Sequence, residues 1–346
     1  MRWKRRPEGS TWGDWGPDDQ LGRMNLLTPE RVKRAVAEVK EGRVFCLSLP
    51  LDVPGGNVLN PRRHPPVLRP TYRDGKAFMN FPLRRVDPHL TDVICDDAAH
   101  IHLQYSTQWD SLAHVGSLFD ADGDGIAERV YYNGFRADED VLGPTLYGDG
   151  GEEIARDGWT GAKKLGIENM AATCVQGRGV MIDLLAHFGP GRTIVGWDQL
   201  RNVLETDRIE VEEGDFVFFR TGFSDALLEM APHPDAARLA ETGAVIDGRD
   251  QRLLQWITDT GLVALVADNY AVEAYPARPC EADRCASLPL HEHCLFKLGV
   301  HLGELFLLSP LADWLRANGR SRFLFTGPPL RLPGAVGSPA TPVATV

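Results

Sequence analysis

His102-Leu-Gln-Tyr-Ser-Thr-Gln-Trp-Asp-Ser-Leu-Ala-His114 sorts cleanly if it is extended. The two-residue period of a strand sends His102, Gln104, Ser106, Gln108 and Asp110 to one side. Ile101, Leu103, Tyr105, Thr107 and Trp109 go to the other, which is apolar and aromatic enough to bury. The polar side gathers a carboxylate, two amides and an imidazole, and His114 follows four residues after Asp110. Two readings fit: a half-exposed strand with a wet polar face, or a site built along one strand. Tyr105 and Trp109 read first as core, with substrate stacking as the alternative.

Outward from this stretch, the chain alternates strand and helix signals. Thr28-Pro29-Glu30 is a helix start, with Thr as N-cap, Pro at the first helical position and an acid in the first turn. This predicts a helix to about Lys40 that stops near Gly42, followed by a buried strand over 43–49. Short apolar runs at 179–184, 216–221, 262–268 and 322–326 predict further strands. Helical stretches at 197–205, 250–258 and 311–318 lie between them. That alternation argues for an α/β fold. Residues 50–97 are rich in Pro, Arg and Gly with little periodicity, as expected of a lid or a subunit contact. With no repeat and no low-complexity linker, one domain over 1–346 is expected, with an N-terminal arm at 1–28.

The bulk composition narrows the partners. Lys+Arg 37 against Asp+Glu 48 leaves a net charge of −11, which disfavours nucleic acid and anionic membrane surfaces. No apolar run approaches the roughly 18 residues of a membrane helix. The basic start Met-Arg-Trp-Lys-Arg-Arg-Pro is not followed by the apolar run of a signal peptide, so a cytoplasmic protein is expected. The cysteines Cys46, Cys95, Cys174, Cys280, Cys285 and Cys294 contain no C-x-x-C pair, and reduced thiols are expected. G-x-G-x-x-G, the Walker P-loop and the G-x-S-x-G elbow do not occur, so neither a nucleotide cofactor nor a serine nucleophile is indicated.

Two further stretches carry candidate chemistry. Asp120-Ala-Asp-Gly-Asp-Gly125 imitates the start of a calcium loop, with Asp120, Asp122 and Asp124 at positions one, three and five. The twelfth position, where such a loop needs a bidentate acid, is Tyr131. A polar Asp/Gly turn is the first reading and structural calcium the second. In Leu290-His-Glu-His-Cys-Leu-Phe-Lys-Leu-Gly-Val-His-Leu-Gly-Glu304, Pro289 can begin a helix that Gly299 ends. His291 and His293 would lie about 200° apart on it, so only one can serve a given site.

Several stretches together resemble a known family. Trp12-Gly-Asp-Trp-Gly-Pro-Asp-Asp-Gln-Leu-Gly-Arg-Met-Asn-Leu-Leu-Thr-Pro-Glu30 resembles the opening of the longer members of the cyclase family that includes bacterial kynurenine formamidase and isatin hydrolase. Gln104-Tyr-Ser-Thr-Gln-Trp-Asp-Ser-Leu-Ala-His114 resembles its signature H-x-G-T-H-x-D-x-P-x-H. Gln176-Gly-Arg-Gly-Val-Met-Ile-Asp183, Phe219-Arg-Thr-Gly222 and residues 328–339 fit as well. The resemblance implies an α/β fold of the swivelling β/β/α type with a mixed β-barrel-like core, assembled as a homodimer or homotetramer. It implies metal-dependent hydrolysis of amides, cyclic amides, esters or lactones of small molecules. Carried over by position, Asp110 and Glu304 are carboxylate ligands, His291 (or His293) is the late histidine ligand, and His114 is the catalytic base. Arg178 and Trp109 are candidate substrate contacts.

The departures are as informative. The first two motif histidines, both metal ligands in the formamidases, are Gln104 and Gln108 here. Amides bind metal only through a weak neutral oxygen. Asp110, His291 and Glu304, with Gln108 and Gln104 as weak additional ligands, are therefore expected to hold one divalent ion. Oxygen in place of nitrogen favours manganese or magnesium over zinc. A lyase or cyclase on the same site, or a silent binding protein, are the competing classes.

Overall fold

In the computed structural model, which describes residues 2–148, 152–280 and 282–346, the organising element is one nine-stranded sheet. Its strands are β1 (Val44–Cys46), β2 (Gln108–Asp110), β3 (Gln176–Asp183), β4 (Phe216–Arg220), β5 (Ala264–Ala267), β6 (His301–Glu304), β7 (Arg322–Thr326), β8 (Gly337–Pro339) and β9 (Val343–Thr345). Across the sheet they run β1-β9-β7-β3-β4-β5-β6-β2-β8. The central strands β3 to β6 are mutually parallel, and antiparallel strands flank them on both sides. Phe216-Val-Phe-Phe219 and Ala264-Leu-Val-Ala267 are unbroken apolar runs because both faces of these strands are covered. Val217, Phe219 and Leu265 enter one core, while Phe216, Phe218 and Val266 enter the other.

The sheet curls into a half-barrel. Leu307 N donates to Leu47 O at 2.9 Å and Ser48 bridges Phe306, so the edge strand β1 meets the extension of β6. The predicted mixed, barrel-like α/β architecture is the one observed.

Helices α1 (Pro29–Val36), α2 (Trp197–Thr206), α3 (Phe223–Met230), α4 (Gln251–Thr260), α5 (Pro289–His291) and α6 (Ser309–Ala317) cover the sheet. The α1 N-cap is Thr28, as expected. The helix ends four residues short of Lys40, and the amides of Glu41 and Gly42 instead donate to Val346 O. After α5 the chain widens into a π-helix over Glu292–Leu298 and stops at Gly299, whose φ is +60°. The N-terminal arm crosses this region. The Trp12 indole donates to Phe296 O, and Arg23 donates to Ile257 O and Thr258 O at the carbonyl end of α4.

Three expectations are corrected. The extended stretch over 102–114 survives as a strand only at 108–110. Ser106 Oγ donates to Pro50 O and Thr107 Oγ1 to Leu305 O, which draws the preceding residues into turns. Residues 50–97 are not wholly irregular, because short antiparallel pairs join Tyr72–Arg73 to Lys76–Ala77 and Phe81–Pro82 to Val93–Ile94. Cys280 and Cys285 form a disulfide rather than two free thiols; their Cα atoms are 6.5 Å apart, within reach of the bond. Among the described residues no helix is long and apolar enough to cross a membrane.

Candidate metal centre

β2 and β6 pair antiparallel with Gln108 opposite Glu304 and Asp110 opposite Leu302. Strand parity then points Gln108 and Asp110 to one face and Trp109 to the other. α5 delivers His291 to the same place. Asp110, His291 and Glu304 each bring a ligand atom into a group spanning no more than 4.8 Å, and all three are buried. His291 Nε2 lies 3.3 Å from Glu304 Oε1 and 3.8 Å from Asp110 Oδ2.

The orientation of His291 is fixed from behind. Its Nδ1 bonds to Glu273 Oε1 at 2.8 Å, and Glu273 also accepts from the amides of Leu290 and His291. This carboxylate leaves Nε2 facing the cluster, which is the usual outer-shell support of a metal-ligating histidine. Glu273 follows Ala271 and Val272, both in left-handed conformation, with φ +58° for the β-branched Val272. Leu305, next to Glu304, has φ +56°. Strain of this kind concentrates where a side chain is held for function.

The charges are unbalanced. Burial pushes the Asp110 carboxyl above its ordinary range, against the pull of His114. Burial would do the same to Glu304, but the His291 hydrogen bond holds it below the usual range. His291 resists the lowering effect of burial and is raised to about 10 by Glu273 and Glu304. Without a metal, the imidazole proton supplies the positive charge here.

Three acceptor atoms test whether a cation belongs here. Both carboxylate oxygens of Asp110 and Oε1 of Gln108 are buried without a hydrogen-bond partner. A buried carboxylate with neither oxygen bonded is costly unless a cation supplies the missing interaction. The donor set, one imidazole, two carboxylates and an amide oxygen, fits a divalent ion.

The other expected site residues fall in different places. His114 Nε2 is 3.8 Å from Asp110 Oδ1. Gln104 turns to His114, with Nε2 3.0 Å from Nδ1, and lies outside the ligand cluster. A Cβ on Gly337 would come within 2.6 Å of that Gln104 nitrogen, so the glycine leaves it room. His293 is not in the group: its Nε2 meets Thr258 Oγ1 at 3.0 Å. Trp109 is fully buried among Phe306 and Phe325 and donates to Gly327 O. Arg178 lies on β3 and is paired with Asp215 and Glu212. The structure therefore does not bring Trp109 and Arg178 to the metal cluster.

The second acidic group, Asp120, Asp122 and Asp124, also draws three oxygens within 4.8 Å. Asp120 accepts from the amides of Gly123, Asp124 and Gly125 and pairs with Arg5. These are the bonds of a polar turn. Sequence reasoning missed Glu273, whose one signal is a lone acid between apolar neighbours in Tyr270-Ala-Val-Glu-Ala-Tyr275.

Comparison with known proteins agrees with this architecture. The family model described as "Putative cyclase" matches residues 47–274. A solved structure described as a novel cyclase is 30% identical, with a TM-score of 0.73 and 97% of each chain covered. Isatin hydrolase A from Ralstonia solanacearum superposes with a TM-score of 0.54 at 14% identity, covering 92% of this chain and 98% of its own. Isatin hydrolase A from Labrenzia aggregata gives 0.52 at 15% identity, with 90% and 98% covered. At such identities the likeness concerns the fold. No curated protein matches the sequence. The matched span and the 30% identical relative establish that this chain belongs to the cyclase family.

Proposed function

We propose that this chain is a metal-dependent hydrolase of a small cyclic amide, N-acyl amide or lactone, working with one divalent ion. The observation that carries this reading is the convergence of Asp110, His291 and Glu304 around carboxylate oxygens that have no partner. The likeness of the fold to isatin hydrolases supports it. Asp110, Glu304 and His291 Nε2 would hold the ion, with Gln108 Oε1 as a weak fourth donor. Bound there, a divalent ion lowers the pKa of water and polarises a carbonyl.

The remaining work falls to the protein. His114 stands at the edge of the cluster and can take a proton from the attacking water, then return it to the leaving atom. Gln104 fixes the imidazole. As placed, Gln104 Nε2 donates to Nδ1, which leaves the ring proton on Nε2. With the amide reversed, so that its oxygen accepts from Nδ1–H, Nε2 becomes the base on the cluster side. Oxygen-rich ligation favours manganese or magnesium over a zinc pair. The test is metal analysis of purified protein with mass spectrometry of products from lactones, imides and N-acyl aromatic amines. One equivalent of metal and a product heavier by one water are expected. Two equivalents of tightly held zinc, or no such product, would overturn the reading. The second reading, a cyclase or lyase, is favoured by the description of the 30% identical relative as a cyclase. Its products would not gain water.

A further inference from the structure

Arg63 is a cation beside the cluster with no acid of its own. Half-buried in the 50–97 segment, it lines a narrow cleft with Asn60, Gln104, Tyr105, Tyr270 and Leu305. Its Nη1 donates to Gln104 O at 2.7 Å. The buried arginines of the sheet are matched differently: Arg178 has Asp215 and Glu212, and Arg220 has Asp183 and Asp313. Among the described residues Arg63 forms no ion pair.

The rest of the cleft offers neutral groups already partly engaged. Asn60 Nδ2 donates to Tyr270 Oη at 3.5 Å, and Tyr105 Oη donates to Gly56 O at 2.9 Å. Arg63 therefore keeps most of its five N–H donors for something else. The positive field of Arg63 reaches Asp110 and Glu304, so the guanidinium belongs to the same charge balance as the cluster. With a divalent ion and a neutral His291, the carboxylates Asp110, Glu304 and Glu273 keep one negative charge in excess. Arg63 offsets it through space while its N–H donors stay unpaired with any of them. A planar fork of this kind recognises a carboxylate through two parallel bonds.

We infer that Arg63 is a specificity-determining residue that binds a carboxylate on the substrate. The substrate would be a small amide or lactone carrying an acidic group apart from the scissile carbonyl. The assignment rests on the hydrolase reading only for the name of that scissile bond.

Binding and turnover separate the two ideas. Manganese-loaded wild type, Arg63→Gln and Arg63→Lys are titrated calorimetrically with benzoate and with benzamide, and metal content is measured for each. Wild type is expected to bind benzoate at least tenfold more tightly than benzamide. Arg63→Gln should lose that preference with its metal retained, and Arg63→Lys should keep part of it. Equal binding of the two probes by wild type overturns the inference. So does a benzoate preference that survives in Arg63→Gln, since benzoate would then be held by the metal alone. Should Arg63→Gln not fold, a benzoate preference in Arg63→Lys equal to that of wild type overturns the bidentate clamp. A tenfold preference without any hydrolysis would reject the proposed reaction and leave the carboxylate site standing.

Discussion

Gln108 and Glu304 stand directly opposite each other in the β2–β6 pair, and the Gln108 amide nitrogen donates to Glu304 Oε2 at 3.1 Å. That bond occupies the Glu304 oxygen that His291 does not use, since His291 approaches Oε1. It also fixes the amide so that its oxygen is the free end. Gln108 Oε1 and both Asp110 oxygens, two residues apart on one strand face, then remain as buried acceptors without donors. The register of one antiparallel pair thus creates an unmet demand for positive charge.

Asp110→Asn tests that demand. In the metal-free protein the substitution removes a buried carboxylate that has no hydrogen-bond partner, so the fold should be unharmed or slightly stabilised. Metal-dependent stabilisation should disappear, because the charged ligand is gone. Thermal melting with and without manganese reads both effects. A metal-free variant that melts well below wild type would make Asp110 a structural residue instead.

His114→Ala should separate chemistry from ligation. The imidazole touches Asp110 only at 3.8 Å and is held by Gln104, so metal content should stay at the wild-type level. Turnover should fall by about 10²–10⁴-fold, the usual contribution of a positioned acid–base group. Full activity of the variant on the true substrate would remove His114 from the proposed role.

Glu273→Gln probes the support behind His291. The carboxylate accepts from Nδ1 and from two backbone amides, and an amide cannot reproduce all three bonds. Metal affinity should weaken by about 10–100-fold, as for other outer-shell partners of ligating histidines. Competition with a chelator of known affinity gives the number. An unchanged affinity would confine Glu273 to a structural role.

The fold was more legible than the site. Three of the central strands, β3 to β5, announce themselves as apolar runs because parallel strands covered on both faces need no alternation, as in Ala264-Leu-Val-Ala267. The fourth, β6, is His301-Leu-Gly-Glu304 and carries no such run. Asp110 and Glu304 are adjacent only through the β2–β6 pairing, which joins segments nearly two hundred positions apart in sequence. No local period carries that information, and the family resemblance supplied it. The turn at 102–107 was illegible for a similar reason, since Ser106 and Thr107 are captured by carbonyls of Pro50 and Leu305. Glu273 owes its aim to left-handed Ala271 and Val272, a conformation their residue types disfavour.

Trp109→Ala should act on stability. The indole is fully buried against Phe306 and Phe325 with its nitrogen bonded to Gly327 O. Truncation is expected to cost about 3–5 kcal/mol, seen as a lower urea midpoint, while Trp109→Phe should fold and turn over with a near-normal KM. A raised KM in Trp109→Phe at unchanged stability would place the ring in substrate contact after all.

Acid should destabilise the protein through two neutral histidines, His301, which is buried, and His293, which is half-buried. His301 donates from Nδ1 to Asp110 O, its Nε2 is buried without a partner, and burial lowers its pKa from 6.5 to about 4. His293, packed beside α4, is likewise lowered by burial to about 4. Because both folded values lie below the unfolded one, the unfolded chain binds protons that the native state refuses. Stability from these groups is therefore complete above pH 6.5 and is lost as pH falls from 6.5 towards 4. Each histidine contributes roughly 3 kcal/mol over that window. His291 acts in the opposite sense in metal-free protein: its value is raised to about 10, so its contribution is complete below pH 6.5 and fades as pH rises towards 10. Urea unfolding of chelator-treated protein from pH 8 to pH 4.5 measures the acid limb, and His293→Gln should flatten it by about half. Identical pH dependence in wild type and His293→Gln would show that His293 does not titrate in this window.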